Sequence, residues 1–320
     1  MLVGVGSTLL WMMFSSLVII LNSSLYRRGF AYPSTVTGVG QLASALFGVF
    51  LGRLSDGQRL RPVPPPRVWL RSLLPIAAAT AASMYFGNLA YLYLSVSFIQ
   101  ILKAFTPAIT LLLCVAARLE RLTAPLLVSV TMVAGGIAGA VAVESGAPSF
   151  SMLGFLAFMA SSLTEAARVV GAELLRDGSR YNTAETLTYV GLPTAALLLL
   201  GAAIWELPGM MAATAAGGGS GLALVAADPW VFLAAPAVSA LVNMSCFFAI
   251  NATSSLTFKV AGCVKNVAVV AYGVLVHGEA ITTLQVAGYA VSTAGFIMYS
   301  HIKMAATKPR PQPHAGGKTE

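Results

Sequence analysis

Apolar residues dominate this chain in blocks of about twenty, broken by short polar stretches, without the strict alternation that marks a half-buried strand. Ten such blocks predict helices at approximately 5–25, 35–52, 69–94, 97–117, 123–142, 150–173, 183–204, 230–250, 254–276 and 282–302. About 20 helical residues span the hydrocarbon core of a bilayer. Most linkers are too short to fold outside the membrane. The longest, "WELPGMMAATAAGGGSGLALVAADPW" from Trp205 to Trp230, is Gly/Ala-rich and aperiodic. The expected fold class is an all-α polytopic membrane protein with ten transmembrane helices.

The blocks fall into two related sets. After the first comes "LYRRGFAY" (Leu25 to Tyr32) and after the sixth "LLRDGSRY" (Leu174 to Tyr181), which share L-x-R-x-G-x-x-Y at an offset of 149. Likewise "YLYLSVSFIQILK" and "INATSSLTFKVAG" hold the same place in their halves, at an offset of 159. Five helices per half is an odd number, so the second half inserts upside down, giving a 5+5 inverted repeat. One transmembrane domain is expected over 1–303, with halves 1–145 and 150–303. A basic, Pro/Gly-rich tail follows over 304–320, expected to be disordered and cytoplasmic.

Composition agrees with the membrane reading: 57% of residues are hydrophobic and 9% charged, against roughly 25% charged in soluble domains. The net charge of +8 is explained by topology and not by a nucleic-acid partner. Thirteen of the 19 Lys and Arg, among them Arg53, Arg118, Arg176 and Lys303, fall on one face, whereas only Arg27 and Arg28 fall on the other. The positive-inside rule then puts both termini in the cytoplasm. The opening "MLVGVGSTLLW" has no basic n-region and no Arg/Ser-rich transit segment, so the first helix is expected to be retained as an anchor, which weighs against a plastid or mitochondrial location. Cys114, Cys246 and Cys263 have no CxxC or ligand-like spacing, so neither a disulfide framework nor a zinc site is expected.

Four cations, Lys103, Arg168, Lys259 and Lys265, lie inside the apolar blocks. A charge at the bilayer centre costs roughly 2.5–3.5 kcal/mol even on lenient scales, so it usually faces a partner or a polar cavity. Arg168 has Glu165 at i−3 and is expected to pair with it. Lys103 and Lys265 have no acid at helical spacing. Pro107 cannot donate to the carbonyl of Lys103, which predicts a bend and a free acceptor beside the ammonium group. Lys265 shares a helix face with Ala261, Gly262, Ala268 and Tyr272, and Lys259 shares the neighbouring face with Gly262, Cys263 and Asn266. Gly262 fits ordinary small-residue packing equally well, and Lys259 fits snorkelling toward the interface. Two cations without acids, one from each half and both directed at a shared cavity, would make an anion site. Phosphate esters and diphosphates are the candidate ligands, with lysine acting as a point charge. An enzyme needs a nucleophile, base or metal set within mutual reach. His277, His301 and His314 offer none, so no catalytic residue, metal or cofactor is expected.

At these residues the chain resembles the triose-phosphate and nucleotide-sugar translocator family of the drug/metabolite transporter superfamily. The resemblance runs from "NSSLYRRGFAYP" through "GNLAYLYLSVSFIQILKAFTP", "ASSLTEAARVVGAELL" and "TAETLTYVGLP" to "ATSSLTFKVAGCVKNVAVVAYGVLVHGEAITTLQVAGYAVSTAGFIMYSHIK". It implies an antiporter that works by alternating access, with Lys103 and Lys265 as phosphate contacts. Plastid members follow the second lysine with arginine, whereas this chain has Asn266, and "EAARVV" looks more like the Golgi and endoplasmic-reticulum members. The candidate substrate-binding set is Lys103, Lys265, Asn266, Gly262, Lys259, Gln100 and Asn88. The expected function is exchange of a nucleotide sugar for a nucleoside monophosphate, with sugar-phosphate/phosphate translocation as the alternative. The expected partners are that small organic phosphate and the lipid bilayer, with no nucleic acid; a homodimer is left open.

Overall fold

The computed structural model describes residues 2–54, 59–146, 150–174, 182–215, 221–252 and 255–307, and among these there is helix but no strand. The long helices are α1 (Leu2–Arg27), α2 (Pro33–Leu54), α3 (Pro66–Tyr93), α4 (Val96–Ala116), α5 (Ala124–Glu144), α6 (Met152–Leu174), α7 (Thr186–Met211), α8 (Pro229–Ala252), α9 (Ser255–His277) and α10 (Thr283–Thr307). A short helix, Gly221–Ala227, precedes α8. Among the described residues, 8 helices are long and apolar enough to cross a membrane, and these are α1 to α8. The outward side chains fit a lipid solvent: Leu9, Leu156 and Leu275 are 59%, 56% and 83% exposed, a surface that a water-soluble monomer would not keep.

The last two predicted segments are helices of 23 and 25 residues. In α9 the described residues include an apolar stretch, Ala261–His277, that is shorter than a span, whereas α10 falls short on apolarity. The physical reason in α10 is its polar cargo of Gln285, Ser292, His301 and Lys303. α10 also continues to Thr307, so the first positions of the expected tail are helical; residues 308–320, and the second copy of the L-x-R-x-G-x-x-Y motif from residue 175 onward, lie outside the described residues.

Prolines shape the helices locally. Pro75, Pro193 and Pro208 each lack the N–H that the carbonyl four residues earlier requires. Those carbonyls, of Arg71, Tyr189 and Ile204, all lie within wide π-helical turns, Trp69–Leu73, Thr186–Val190 and Ala202–Glu206. Pro107 acts the other way. The chain tightens into a 3₁₀ turn at Lys103–Phe105, and the Thr106 N–H donates to the Lys103 carbonyl. The acceptor expected to be free beside the ammonium group is therefore occupied, because a tighter turn brings the next available donor to it.

Helix pairs are joined through small residues, as is common where lipid supplies no hydrophobic drive between helices. α1 packs on α8 and α6 on α3; α1 also meets α9 as α6 meets α4; α2 meets α8 as α7 meets α3; α2 pairs with α7, α4 with α9 and α5 with α10. In α5 and α10 the backbones almost touch. A Cβ on Gly136 would lie 2.3 Å from the Gly288 carbonyl oxygen, and the Ser292 hydroxyl donates to the Val133 carbonyl at 3.0 Å. The first two turns of α4, Val96–Leu102, are entirely buried, with Phe98, Ile99, Ile101 and Leu102 in a core shared with Ala90, Ile137 and Phe158. That anchorage delivers Lys103 to a fixed place.

Candidate functional site

A cavity of about 290 Å³ opens where α1, α4, α9 and α10 meet. From α4 it is lined by Lys103, Ala104 and Pro107; from α9 by Phe258, Gly262, Cys263, Lys265 and Asn266. Trp11 of α1 and Tyr289, Thr293 and Phe296 of α10 complete the wall. Lys103 and Lys265, far apart in sequence, thus face one space.

Lys103 is held from α3. Its Nζ donates to the Tyr91 hydroxyl oxygen at 3.1 Å, and the same oxygen accepts from Gln100 Nε2 at 2.9 Å. Gln100 is wholly buried, and its Oε1 has no partner among the described residues. Lys265 is also buried. Its Nζ lies 3.4 Å from the Ser15 hydroxyl and 5.9 Å from the centre of the Trp11 ring. An ammonium near an aromatic face gains electrostatically from the ring. Neither lysine belongs to an ion pair among the described residues; the pairs found there include Arg27–Glu279, Arg28–Asp228, Arg61–Glu185, Arg168–Glu165 and Lys303–Glu120. Arg168 pairs with Glu165 as its spacing predicts, with Nε 3.0 Å from Oε2. Each of these two lysines has therefore one neutral oxygen partner and capacity for two further acceptors.

The remaining expected residues divide. Asn266 and Gly262 line the cavity, and a Cβ on Gly262 would come within 3.7 Å of Trp11, an ordinary contact. Gln100 supports Tyr91 and does not line the cavity. Asn88 accepts from the Tyr26 hydroxyl at 3.0 Å and donates to the Met84 carbonyl at 3.1 Å, also outside the cavity. The side chain of Lys259 lies outside the described residues. Reasoning from sequence missed Tyr91, Trp11, Ser15, Phe258 and the α10 residues. The only advance signal was the polar Ser15–Ser16 pair within an apolar block, since aromatic residues in such blocks are ordinary. Trp11 and Phe258 pack against each other with ring centres 4.2 Å apart, giving the cavity an aromatic side.

Membrane-crossing helices arranged around a cavity suit a transporter. The chain belongs to the Triose-phosphate Transporter family, which it matches over residues 3–300. Two Arabidopsis thaliana relatives carry the name "Probable sugar phosphate/phosphate translocator": one is 27% identical over 94% of this chain and 80% of its own length, the other 30% identical over 86% and 78%. "UDP-galactose transporter 1" of the same plant is 25% identical over 94% of this chain and 87% of its own length. A crystal structure of a protein 18% identical in sequence superposes with a TM-score of 0.57, covering 97% of this chain and 98% of the other, and so shares the fold.

Proposed function

We propose that this protein exchanges a nucleotide sugar for a nucleoside monophosphate by alternating access, with Lys103 and Lys265 contacting phosphate oxygens and Asn266 adding an uncharged hydrogen bond. The observation that carries the proposal is the pair of ammonium groups, Lys265 buried and Lys103 partly buried, that face one cavity with no carboxylate partner among the described residues. An anion entering there meets two charges that already have their desolvation cost behind them. The aromatic side formed by Trp11 and Phe258 favours a ligand with a planar apolar face, which a nucleobase has and a triose phosphate lacks. A sugar-phosphate/phosphate exchanger is the second reading, favoured by the names of the Arabidopsis relatives.

In the same proposal α9 and α10 also cross the membrane, giving ten spans in two inverted halves, 1–145 and 150–303. The packing pattern supports this, because exchanging each helix with the one five places along leaves every pairing named above in place. The excess of Lys and Arg on one face supports cytoplasmic termini, and we assign the protein to the Golgi or endoplasmic reticulum.

Proteoliposomes preloaded with one nucleoside monophosphate, sugar phosphate or inorganic phosphate at a time, and offered labelled nucleotide sugars or triose phosphates, test the reading. Exchange stimulated by a nucleoside monophosphate supports it; exchange driven by inorganic phosphate alone transfers the assignment to the second reading. Lys265→Ala is expected to lower exchange by roughly a hundredfold while remaining folded, the scale of one charge-assisted contact. Full exchange by that variant would remove Lys265 from the site.

A further inference from the structure

We infer that the Glu279 carboxylate is a gate: it shuts the end of the cavity beyond the lysines, and the transport cycle requires it to let go of α1 and α4. The inference rests on the alternating-access reading but not on the identity of the substrate.

At the end of α9 the chain turns through Gly278, at a φ of +64°, and the Glu279 N–H returns to the Gly273 carbonyl at 3.2 Å. This turn aims the Glu279 side chain, only 9% exposed, at two other helices. Its Oε1 accepts from the Arg27 guanidinium, at the end of α1, at 2.6 Å. Its Oε2 accepts from the Ser97 N–H at 3.0 Å, in the first turn of α4. That N–H has no acceptor within its own helix, and the positive end of the helix dipole strengthens the bond. Ser97 closes the contact from the other side, its hydroxyl donating to the Val270 carbonyl at 3.2 Å. Gly273 makes room: a Cβ there would lie 2.3 Å from Ser97 Oγ and 2.6 Å from Glu279 Oε2.

The cavity lies on the other side of this closure. Its α9 residues run from Phe258 to Asn266, and its α4 residues from Lys103 to Pro107. Ser97 is about 9 Å along α4 from Lys103, and Gly273 about 12 Å along α9 from Lys265. The packed end thus begins roughly two turns past the lysines. A carrier that binds at mid-membrane must expose that site to each side in turn. Opening this end means parting α9 from α4, and the bonds that resist are those of Glu279 and Ser97. All but one of them join residues of the first half, Arg27 and Ser97, to the corner of the second.

Cys263, a native thiol in the cavity wall, reports the state of the gate without any substrate. With Cys114 and Cys246 replaced by serine, a membrane-impermeant maleimide is applied to either side of oriented vesicles. The parent protein is expected to react faster from the side opposite the Glu279 corner. Glu279→Gln keeps an acceptor for Ser97 but loses the charge, and is expected to speed labelling from the corner side by roughly tenfold. If Glu279→Gln fails to fold, Arg27→Gln, changing the half-exposed partner, makes the same prediction. Unchanged sidedness of labelling in both charge variants would overturn the gate and leave Glu279 a static cap. Full exchange by Lys265→Ala alongside altered labelling would instead overturn the lysine site and leave the gate standing.

Discussion

The corner after α4 and the corner after α9 are built alike and used differently. Each helix ends on a residue in the left-handed region, Arg118 at a φ of 58° and Gly278 at 64°, and each corner then presents a glutamate, Glu120 or Glu279. Glu279 ties its corner to α1 and to the start of α4. Glu120 pairs with Lys303 near the end of α10 at 2.5 Å, with both side chains partly exposed. Glycine adopts the left-handed conformation at no steric cost, whereas Arg118 accepts a penalty of about 1–2 kcal/mol. The tighter, glycine-built corner closes on its facing helix, and the other end of the same helix pair holds the cavity. Equivalent turns therefore need not be in equivalent states, and it is the partner of the glutamate that separates them.

The difference can be attacked most directly at Gly273. Gly273→Ala places a Cβ where the Ser97 hydroxyl and the Glu279 carboxylate now lie, and the expected result is a gate that cannot shut. Labelling of Cys263 from the corner side should rise and exchange should fall, each by roughly five- to a hundredfold, the scale of a 1–3 kcal/mol overpacking penalty. Unaltered labelling would mean that the two ends are less distinct than they look.

A middle-sized effect is expected from Tyr91→Phe, which removes the oxygen that Lys103 and Gln100 share. The KM for exchange should rise by roughly tenfold, and the buried Gln100 amide should cost about 1–3 kcal/mol of stability. Sidedness of labelling should not change, since Tyr91 belongs to the site and not to either corner. A KM effect that persists undiminished in a Lys103→Ala background would show that Tyr91 does not act through Lys103.

The smallest effect belongs to the other corner. Lys303→Gln breaks a partly exposed pair and should change stability by less than about 1 kcal/mol, with exchange close to normal in the vesicle assay. A large loss would show that the two glutamates are more alike in function than their surroundings indicate.

The helices were legible in the sequence because length and hydropathy are local properties, and the convergence of Lys103 and Lys265 followed from the absence of nearby acids. The Arg168–Glu165 pair was legible for the same reason, both residues lying on one helix face. What escaped was every contact between helices. Tyr91 reads as one more aromatic in an apolar block, and Gln100 as a ligand contact, until α3 and α4 are seen to share one oxygen. Glu279 reads as a loop acid, since its partners Arg27 and Ser97 are 252 and 182 residues away. The 3₁₀ turn at Lys103 was half legible: proline predicted the break, but not that Thr106 would supply the missing donor.

The contact between Gly136 and Gly288 has a mechanical meaning. Two side chains that meet can slide, swap rotamers and absorb small displacements, but two backbones in contact have no such play. Helices joined in this way share one axle, and a rotation entering through α10 is handed to α5 without slack.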